Sequence, residues 1–157
     1  MPLTFDLPFD QLQTYTGINP CPPDFDRFWN DGLTEMRRLP ADLELVPADF
    51  KAAGVECFHL YFTGVGGARI HAKFLRPRHI TAPCPALLMF HGYAFDSADW
   101  SRKLGYAYQG FVVAAMDCRG QGGLSQDVGG VAGNTLHGHI IRGLEDALAG
   151  SPEKLLF

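Results

Sequence analysis

Two kinds of hydrophobic pattern divide the middle of the chain. Residues 55–63 and 68–76 alternate apolar and polar side chains, which predicts two half-buried strands. The glycine-rich loop at 64–67 between them supplies the positive φ angles that a tight hairpin needs. Residues 86–90 and 111–116 are instead continuous apolar runs, typical of parallel strands buried on both faces. The pattern predicts an α/β fold in which an antiparallel hairpin leads into a parallel sheet.

The connections follow from capping residues and glycines. A helix between the two apolar runs is predicted to begin at Ser97 and to end at Gly110, which makes a right-handed strand–helix–strand unit. Residues 42–49 are compatible with a short additional strand. We expect the sheet to end at the strand around 111–116 and to leave an apolar edge there. A glycine-rich excursion over 117–150 follows.

The first forty residues have a different character. Residues 1–23 are rich in proline and aromatic side chains without a period, and they predict an extended arm. A helix then begins with Asp24 as its N-cap and is stopped by Pro40. Its apolar side chains share one face, and we expect them to pack: Phe25, Phe28, Trp29, Leu33 and Met36. We therefore divide the chain into an N-terminal arm and helix, 1–40, and a second region, 41–157.

Composition excludes several classes of protein. With 46% hydrophobic and 19% charged residues the chain is globular, and its formal net charge of −4 argues against nucleic-acid or anionic-membrane partners. No apolar run is long enough to span a bilayer, and the first ten residues do not read as a signal peptide. The cysteines share no CxxC spacing and are interpreted as free thiols rather than zinc ligands or a disulfide pair: Cys21, Cys57, Cys84 and Cys118.

The candidate chemistry begins where the first buried run ends, at His91-Gly92-Tyr93. A backbone N–H fixed at the end of a strand can stabilise the oxyanion of an acyl-transfer intermediate without reorganising. We interpret His91 as a structural histidine whose ring is satisfied by hydrogen bonds.

Together with two later runs, this motif resembles the acetyl xylan esterase / cephalosporin-C deacetylase family. The runs are Asp-Cys-Arg-Gly-Gln-Gly at 117–122 and Arg-Gly-Leu at 142–144, and the helix at 22–29 is also similar. The resemblance implies an incomplete α/β-hydrolase-type fold, the N-terminal half of a serine esterase that removes O-acetyl groups from acetylated xylo-oligosaccharides or related small esters. It implies no metal or organic cofactor, a cytoplasmic location, and a homo-oligomer when the protein is full length.

The resemblance also assigns roles to residues. It maps one oxyanion-hole N–H onto Tyr93 and structural support of the active-site loops onto four residues of the second motif: Asp117, Arg119, Gly120 and Gln121. The nucleophile elbow, the acid and the histidine that family members carry are expected beyond residue 157, so the chain alone is predicted to be inactive.

Other sites are weaker. Ser125 imitates a nucleophile elbow, but Asp127 stands where the elbow needs glycine and no apolar strand comes immediately before. His137 and His139 are interpreted as solvated imidazoles rather than metal ligands. Two alternatives stay open: a non-catalytic half-domain that acts as a binding module, and another α/β-hydrolase such as a dienelactone-hydrolase-like or prolyl-peptidase-like enzyme.

Overall fold

The computed structural model describes residues 6–19 and 21–127. Its helices are Phe9–Leu12 (α1), Phe25–Arg38 (α2) and Ser101–Tyr108 (α3), and its strands are Glu44–Pro47 (β1), Val55–Thr63 (β2), Arg69–Pro77 (β3), Ala86–Phe90 (β4) and Val112–Met116 (β5). Contacts divide the chain into two compact units, Met1–Thr34 and Glu35–Phe157. The predicted boundary at residue 40 stays a prediction.

The five strands form one mixed sheet in the order β1-β2-β3-β5-β4. β1, β2 and β3 are antiparallel neighbours, and β5 is antiparallel to β3 but parallel to β4. The loop between β2 and β3 places Gly66 at φ 70° and Gly67 at φ 80°, as the hairpin prediction requires. This topology confirms the predicted α/β fold, with an antiparallel hairpin leading into a parallel pair.

The predicted position of the sheet edge is wrong. β5 lies inside the sheet between β3 and β4, so among the described strands β4 and β1 are the two edge strands. Leu88 and Phe90 of β4 are 67% and 65% exposed. The chain returns from α3 to the inner side of β4 rather than to its outer side, and hydrophobicity alone does not distinguish these two returns. The apolar edge predicted for 111–116 is therefore found at Ala86–Phe90.

The core lies between one face of this sheet and α3. Leu75 and Val113 have no exposed surface, and Ala107 of α3 is 2% exposed. The core cluster is completed by Ala48, Val55 and Cys57, with Phe50, Ala52, Leu87, Met89, Trp100, Leu104 and Phe111 packed against it. The loop that carries the candidate motif therefore runs from β4, whose Leu87 and Met89 pack against this core, to α3, whose Ala107 lies in it.

Three predictions about helices need correction. The arm at 1–23 contains the short helix α1. The apolar face of α2 is not buried, since periodicity predicts a helix but not what covers it. α3 begins at Ser101 rather than near Ser97, because the Ser97 N–H is held by the Asp117 carboxylate and the Asp99 carboxylate accepts the Ser101 N–H.

The prediction that Gly110 ends the third helix is confirmed. Gly110 adopts a φ of 92° two residues after α3 ends. In the part of the chain that the structure describes, no helix has the length and apolarity needed to cross a membrane.

Candidate functional site

The motif His91-Gly92-Tyr93 lies directly after β4, at the carboxyl end of the parallel pair. We call residues 91–95 the oxyanion turn, after the role that the resemblance predicts for Tyr93. The turn is closed by the Phe95 N–H, which donates to the Gly92 carbonyl at 3.2 Å. Ala94 has a φ of 65°, a left-handed conformation that turns the chain sharply. Tyr93 is 52% exposed.

The His91 imidazole connects this turn to the end of β5. Its Nδ1 lies 2.7 Å from the Gly92 carbonyl oxygen, and its Nε2 lies 2.8 Å from the Cys118 backbone nitrogen. A carbonyl only accepts and a backbone N–H only donates, so Nδ1 carries the proton and Nε2 is the acceptor. Both ring nitrogens are satisfied, as the sequence predicts, although the residue is partly exposed rather than buried.

The loop after Asp117 supports the oxyanion turn from the other side. The Gln121 side-chain oxygen accepts the Ala94 N–H at 2.7 Å, and the Gly122 N–H donates to the Phe95 carbonyl at 2.9 Å. A Cβ on Gly122 would lie 3.0 Å from the carbonyl oxygens of both Ala94 and Phe95. Glycine is thus the residue that allows these two backbones to approach so closely.

Asp117 is the hub beneath both loops. Its carboxylate accepts hydrogen bonds from His71 Nδ1 at 2.6 Å, from the Ser97 N–H at 2.6 Å and from the Leu124 N–H at 2.9 Å. Burial alone would raise the pKa of Asp117, but these hydrogen bonds hold that pKa well below its usual range. Gly123 has to be glycine here, because a Cβ would overlap the Asp117 carboxyl group.

Asp117 belongs to a group of side chains that has the residue types of a catalytic triad. We call His59, His71, Asp117 and Ser125 the His71 cluster; the last three are 1%, 1% and 2% exposed. His71 Nε2 faces His59 Nδ1 at 2.8 Å. Burial, followed by the neighbouring His71 and Lys73, lowers the pKa of His59.

The geometry of Ser125 excludes it as a nucleophile activated by His71. Its Oγ donates to the Asp117 carbonyl at 2.6 Å and accepts the backbone N–H of His71 at 2.8 Å. The imidazole of His71 is engaged at both nitrogens by Asp117 and His59. A nucleophile has to be hydrogen-bonded to the ring of its base and open to substrate, and Ser125 meets neither requirement.

Two lysines hold the end of the loop that follows the oxyanion turn. Lys103 is 1% exposed, and its ammonium group donates to the carbonyls of Ser97, Ala98 and Asp99. Lys73 donates to the Ser97 hydroxyl and to the Ala98 carbonyl at 2.7 Å. Burial and the second ammonium group lower the pKa of Lys103. The cations therefore satisfy backbone carbonyls.

The other residues of the Asp-Cys-Arg-Gly-Gln-Gly run are placed as follows. Arg119 donates to the Asp127 carboxylate and to the Val65 carbonyl, both at 3.2 Å. Its ion-pair partner is thus Asp127, whereas Asp117 is hydrogen-bonded to His71. Gly120 adopts a φ of 64°. Arg119 ties the loop to the β2–β3 hairpin, and its assigned role as an anchor stays a prediction.

A cavity of about 340 Å³ opens beside the oxyanion turn. Its lining includes the apolar Met89, Phe90 and Phe95 and the charged Arg102. Among the described residues no group of three His, Cys, Asp or Glu side chains could hold a metal ion. The four cysteines are free thiols. His137 and His139 lie outside the described residues.

Sequence reasoning missed the His71 cluster and the two lysines. A signal was present in the strand alternation: His59 and Tyr61 on β2 and His71 and Lys73 on β3 occupy one face, with Tyr61 opposite His71 in the register. Four polar side chains on the face that also carries core residues indicate an internal hydrogen-bond network. The Asp117 end of that network depends on the β3–β5 pairing, which the pattern does not give.

Comparison with known proteins supports the family resemblance that the motifs at 91–93 and 117–122 indicate. The family described as acetyl xylan esterase (AXE1) matches residues 1–157. Acetyl xylan esterase 1 from Thermoanaerobacterium sp. JW/SL YS485 is 55% identical with a TM-score of 0.82, and the match covers 96% of this chain and 47% of that one. An acetyl xylan esterase from Paenibacillus sp. R4 shares the fold at 24% identity and a TM-score of 0.69, over 92% of this chain and 53% of that one.

The chain thus spans about half the length of the solved enzymes that it matches. Its mixed sheet is an incomplete α/β-hydrolase-type fold, with the oxyanion turn at the carboxyl end of β4. The motif, the sheet and the match over the whole sequence agree, and the chain belongs to the acetyl xylan esterase family.

Proposed function

We propose that the complete protein is a serine carboxylesterase that removes O-acetyl groups from acetylated xylo-oligosaccharides or related small esters, and that this chain supplies one donor of its oxyanion hole. The observation that carries the proposal is the oxyanion turn, in a chain that belongs to an esterase family. Four backbone groups of this turn are held by hydrogen bonds within the turn or to Gln121 and Gly122 of the loop after β5. Such rigidity is what stabilisation of a developing charge requires.

The mechanism is acyl transfer through a serine ester. The serine hydroxyl of the remaining half attacks the acetyl carbonyl carbon while a histidine takes its proton. The carbonyl oxygen becomes an oxyanion, and the Tyr93 N–H and a second backbone N–H donate to it. The bond from carbon to the sugar oxygen then breaks and the sugar leaves with the proton. Water then attacks the carbonyl carbon of the acetyl-serine, with the histidine again taking the proton, and this releases acetate and regenerates the serine.

The burial of Ser125 argues that the nucleophile of this reaction is a different serine. The Ser125 Oγ is inaccessible and bonded to backbone, so a substrate carbonyl cannot reach it. The cavity beside the turn has room for a small acyl group, and its apolar lining residues suit a methyl. A homo-oligomer and a cytoplasmic location are further parts of the proposal; free cysteine thiols are typical of a reducing compartment.

The test uses a joined protein, in which residues 1–157 are followed by the C-terminal remainder of the 55%-identical Thermoanaerobacterium enzyme. We expect saturable release of acetate from acetylated xylo-oligosaccharides and from p-nitrophenyl acetate, and slower cleavage of longer acyl esters. A folded joined protein without acetate release would contradict the proposal. Cleavage of a lactone or of a peptide, with acetyl esters untouched, would favour the alternative hydrolases.

The chain alone provides the second arm of this test. We expect no turnover of p-nitrophenyl acetate above background from residues 1–157. The exposed β4 edge also predicts marginal stability or aggregation, because an unpaired apolar strand recruits other chains. Saturable turnover by the purified chain that disappears in Ser125→Ala would overturn the assignment. Specific partner binding without hydrolysis in the joined protein would favour the binding module.

A further inference from the structure

The direction of the Tyr93 N–H is fixed by the peptide that joins Gly92 to Tyr93. In a trans peptide the C=O and the N–H point in opposite directions within one plane. Whatever holds the Gly92 oxygen therefore also sets where the Tyr93 hydrogen points. Two donors hold that oxygen: the His91 Nδ1 at 2.7 Å and the Phe95 N–H at 3.2 Å. The shorter contact comes from a side chain.

The side chain of His91 is itself held by its other nitrogen. Nε2 accepts the Cys118 N–H at 2.8 Å, at the residue that follows Asp117 at the end of β5. β4 and β5 are parallel neighbours with Phe90 opposite Met116, so the two strand ends lie side by side. The imidazole thus forms a strut from the β5 end to the Gly92 oxygen, and the Asp117 hub fixes the loops on both sides.

We infer that His91 is the positioning residue of the oxyanion donor: its Nδ1–H, acting on the Gly92 carbonyl, sets the direction of the Tyr93 N–H. The inference rests on the proposed function. His91 touches no reacting atom and exchanges no proton with substrate. Its contribution is to the transition state, since a donor rotated away from the oxyanion binds the ground-state ester nearly as well but stabilises the developing charge less.

Two substitutions separate the two ends of this strut. In His91→Asn, the side-chain NH2 occupies the region of Nδ1 and keeps a donor for the Gly92 oxygen, while the acceptor for Cys118 is lost. In His91→Gln, the side-chain oxygen reaches the region of Nε2 and keeps the acceptor, while the donor near Gly92 is lost. Each variant loses one hydrogen bond, so a merely structural role affects both alike.

The joined protein should distinguish them. We expect His91→Gln to lower kcat by about 10- to 100-fold with KM changed by less than about threefold, as for a small misplacement of a reacting geometry. His91→Asn should retain kcat within about threefold of the parent. Circular dichroism checks that both variants are folded. Equal kcat values in the two variants would overturn the inference, as would loss confined to KM.

A readout without catalysis keeps the two proposals apart. Nitrogen-15 NMR of the unsubstituted joined protein should show His91 as the Nδ1–H tautomer, and the Tyr93 amide resonance should shift in His91→Gln and not in His91→Asn. An Nε2–H tautomer would overturn the inference without any variant. If the parent cleaves no ester while the amide responds as expected, the proposed function fails and the positioning geometry stands. If the parent is active and the amide does not respond, the inference alone fails.

Discussion

His71 and His91 both have a hydrogen-bond partner on each ring nitrogen, yet the two partners differ in kind. His71 lies between the Asp117 carboxylate and a second imidazole, and it is 1% exposed. His91 lies between a backbone carbonyl and a backbone N–H at a partly exposed turn. The first arrangement has the residue types of a catalytic site, and the second lies in the turn to which we assign the oxyanion donor.

The difference separates the side chains that hold the fold together from the turn for which we propose a function. Asp117, His71 and Ser125 meet inside the protein, where no substrate arrives, and each polar atom is used to hold a strand or a loop. The oxyanion turn contributes backbone rather than side-chain chemistry, at the surface and beside a cavity. We therefore expect substitutions in the His71 cluster to lower the free energy of unfolding, and loss of the backbone donor in the oxyanion turn to lower kcat.

The largest effect is expected at the hub. Asp117→Asn removes a buried charge that three donors share, and it replaces one of the two accepting oxygens by an NH2 donor that faces an N–H group. We expect the free energy of unfolding to fall by about 3–5 kcal/mol, as when one partner of a buried pair is removed. Chemical denaturation of the joined protein measures it.

The partly exposed Arg76–Glu56 pair offers a matched control for this substitution. Glu56→Gln should cost less than about 1 kcal/mol. If Asp117→Asn were no more destabilising than Glu56→Gln, the cluster would not be the structural hub.

The pH dependence of stability should reveal the same cluster in two steps. The pKa of His59 is lowered on folding, so below about pH 6.5 the unfolded state binds a proton that the folded state does not. The free energy of unfolding therefore decreases as the pH is lowered through this range. The pKa of Asp117 is also lowered, and its contribution is lost as pH falls below about 4. His59→Gln should remove only the first step in denaturation curves recorded across this range. Unchanged curves would exclude His59 as its source.

A smaller loss of stability is expected from Ser125→Ala. The substitution leaves the His71 N–H and the Asp117 carbonyl without their hydroxyl partner, which costs about 1–3 kcal/mol when such groups are buried. Activity per folded molecule should be unchanged, because Ser125 is not the nucleophile. Active-site titration together with kcat checks this. A stable Ser125→Ala protein with no activity would contradict the structural assignment and would show that Ser125 acts in catalysis.

The smallest effect is expected from Tyr93→Phe. The assigned contribution is a backbone N–H, which phenylalanine keeps, so kcat of the joined protein should stay within about twofold of the parent. A loss of tenfold or more in steady-state kinetics would show that the phenol group acts in the reaction.

The sequence predicts the strands well and their arrangement less well. β2 and β4 coincide with the predicted ranges because alternation and continuous apolar runs are local signals. The position of β4 at the edge and the meeting of Asp117 with His71 depend on which strands pair, which is a non-local property. The oxyanion motif is recognisable from its residues, but the tautomer of His91 follows only from its two backbone partners.

The central claim is that the Tyr93 N–H, a backbone group, stabilises the oxyanion. Replacing the residue-93 amide by an ester removes this hydrogen and also makes the Gly92 carbonyl a weaker acceptor. The same exchange at residue 94 weakens a neighbouring carbonyl in the same way and removes the bond to Gln121, so it is the control within the same turn. Tyr93→Pro is the genetically encoded version, once circular dichroism shows that its fold survives.

The deciding measurement is kcat of the joined protein with the ester at residue 93. We predict a fall of about 10²–10³, the range for the loss of one oxyanion donor, with a smaller change in KM and a smaller effect at residue 94. A folded protein with the ester at residue 93 and an unchanged kcat would contradict the account.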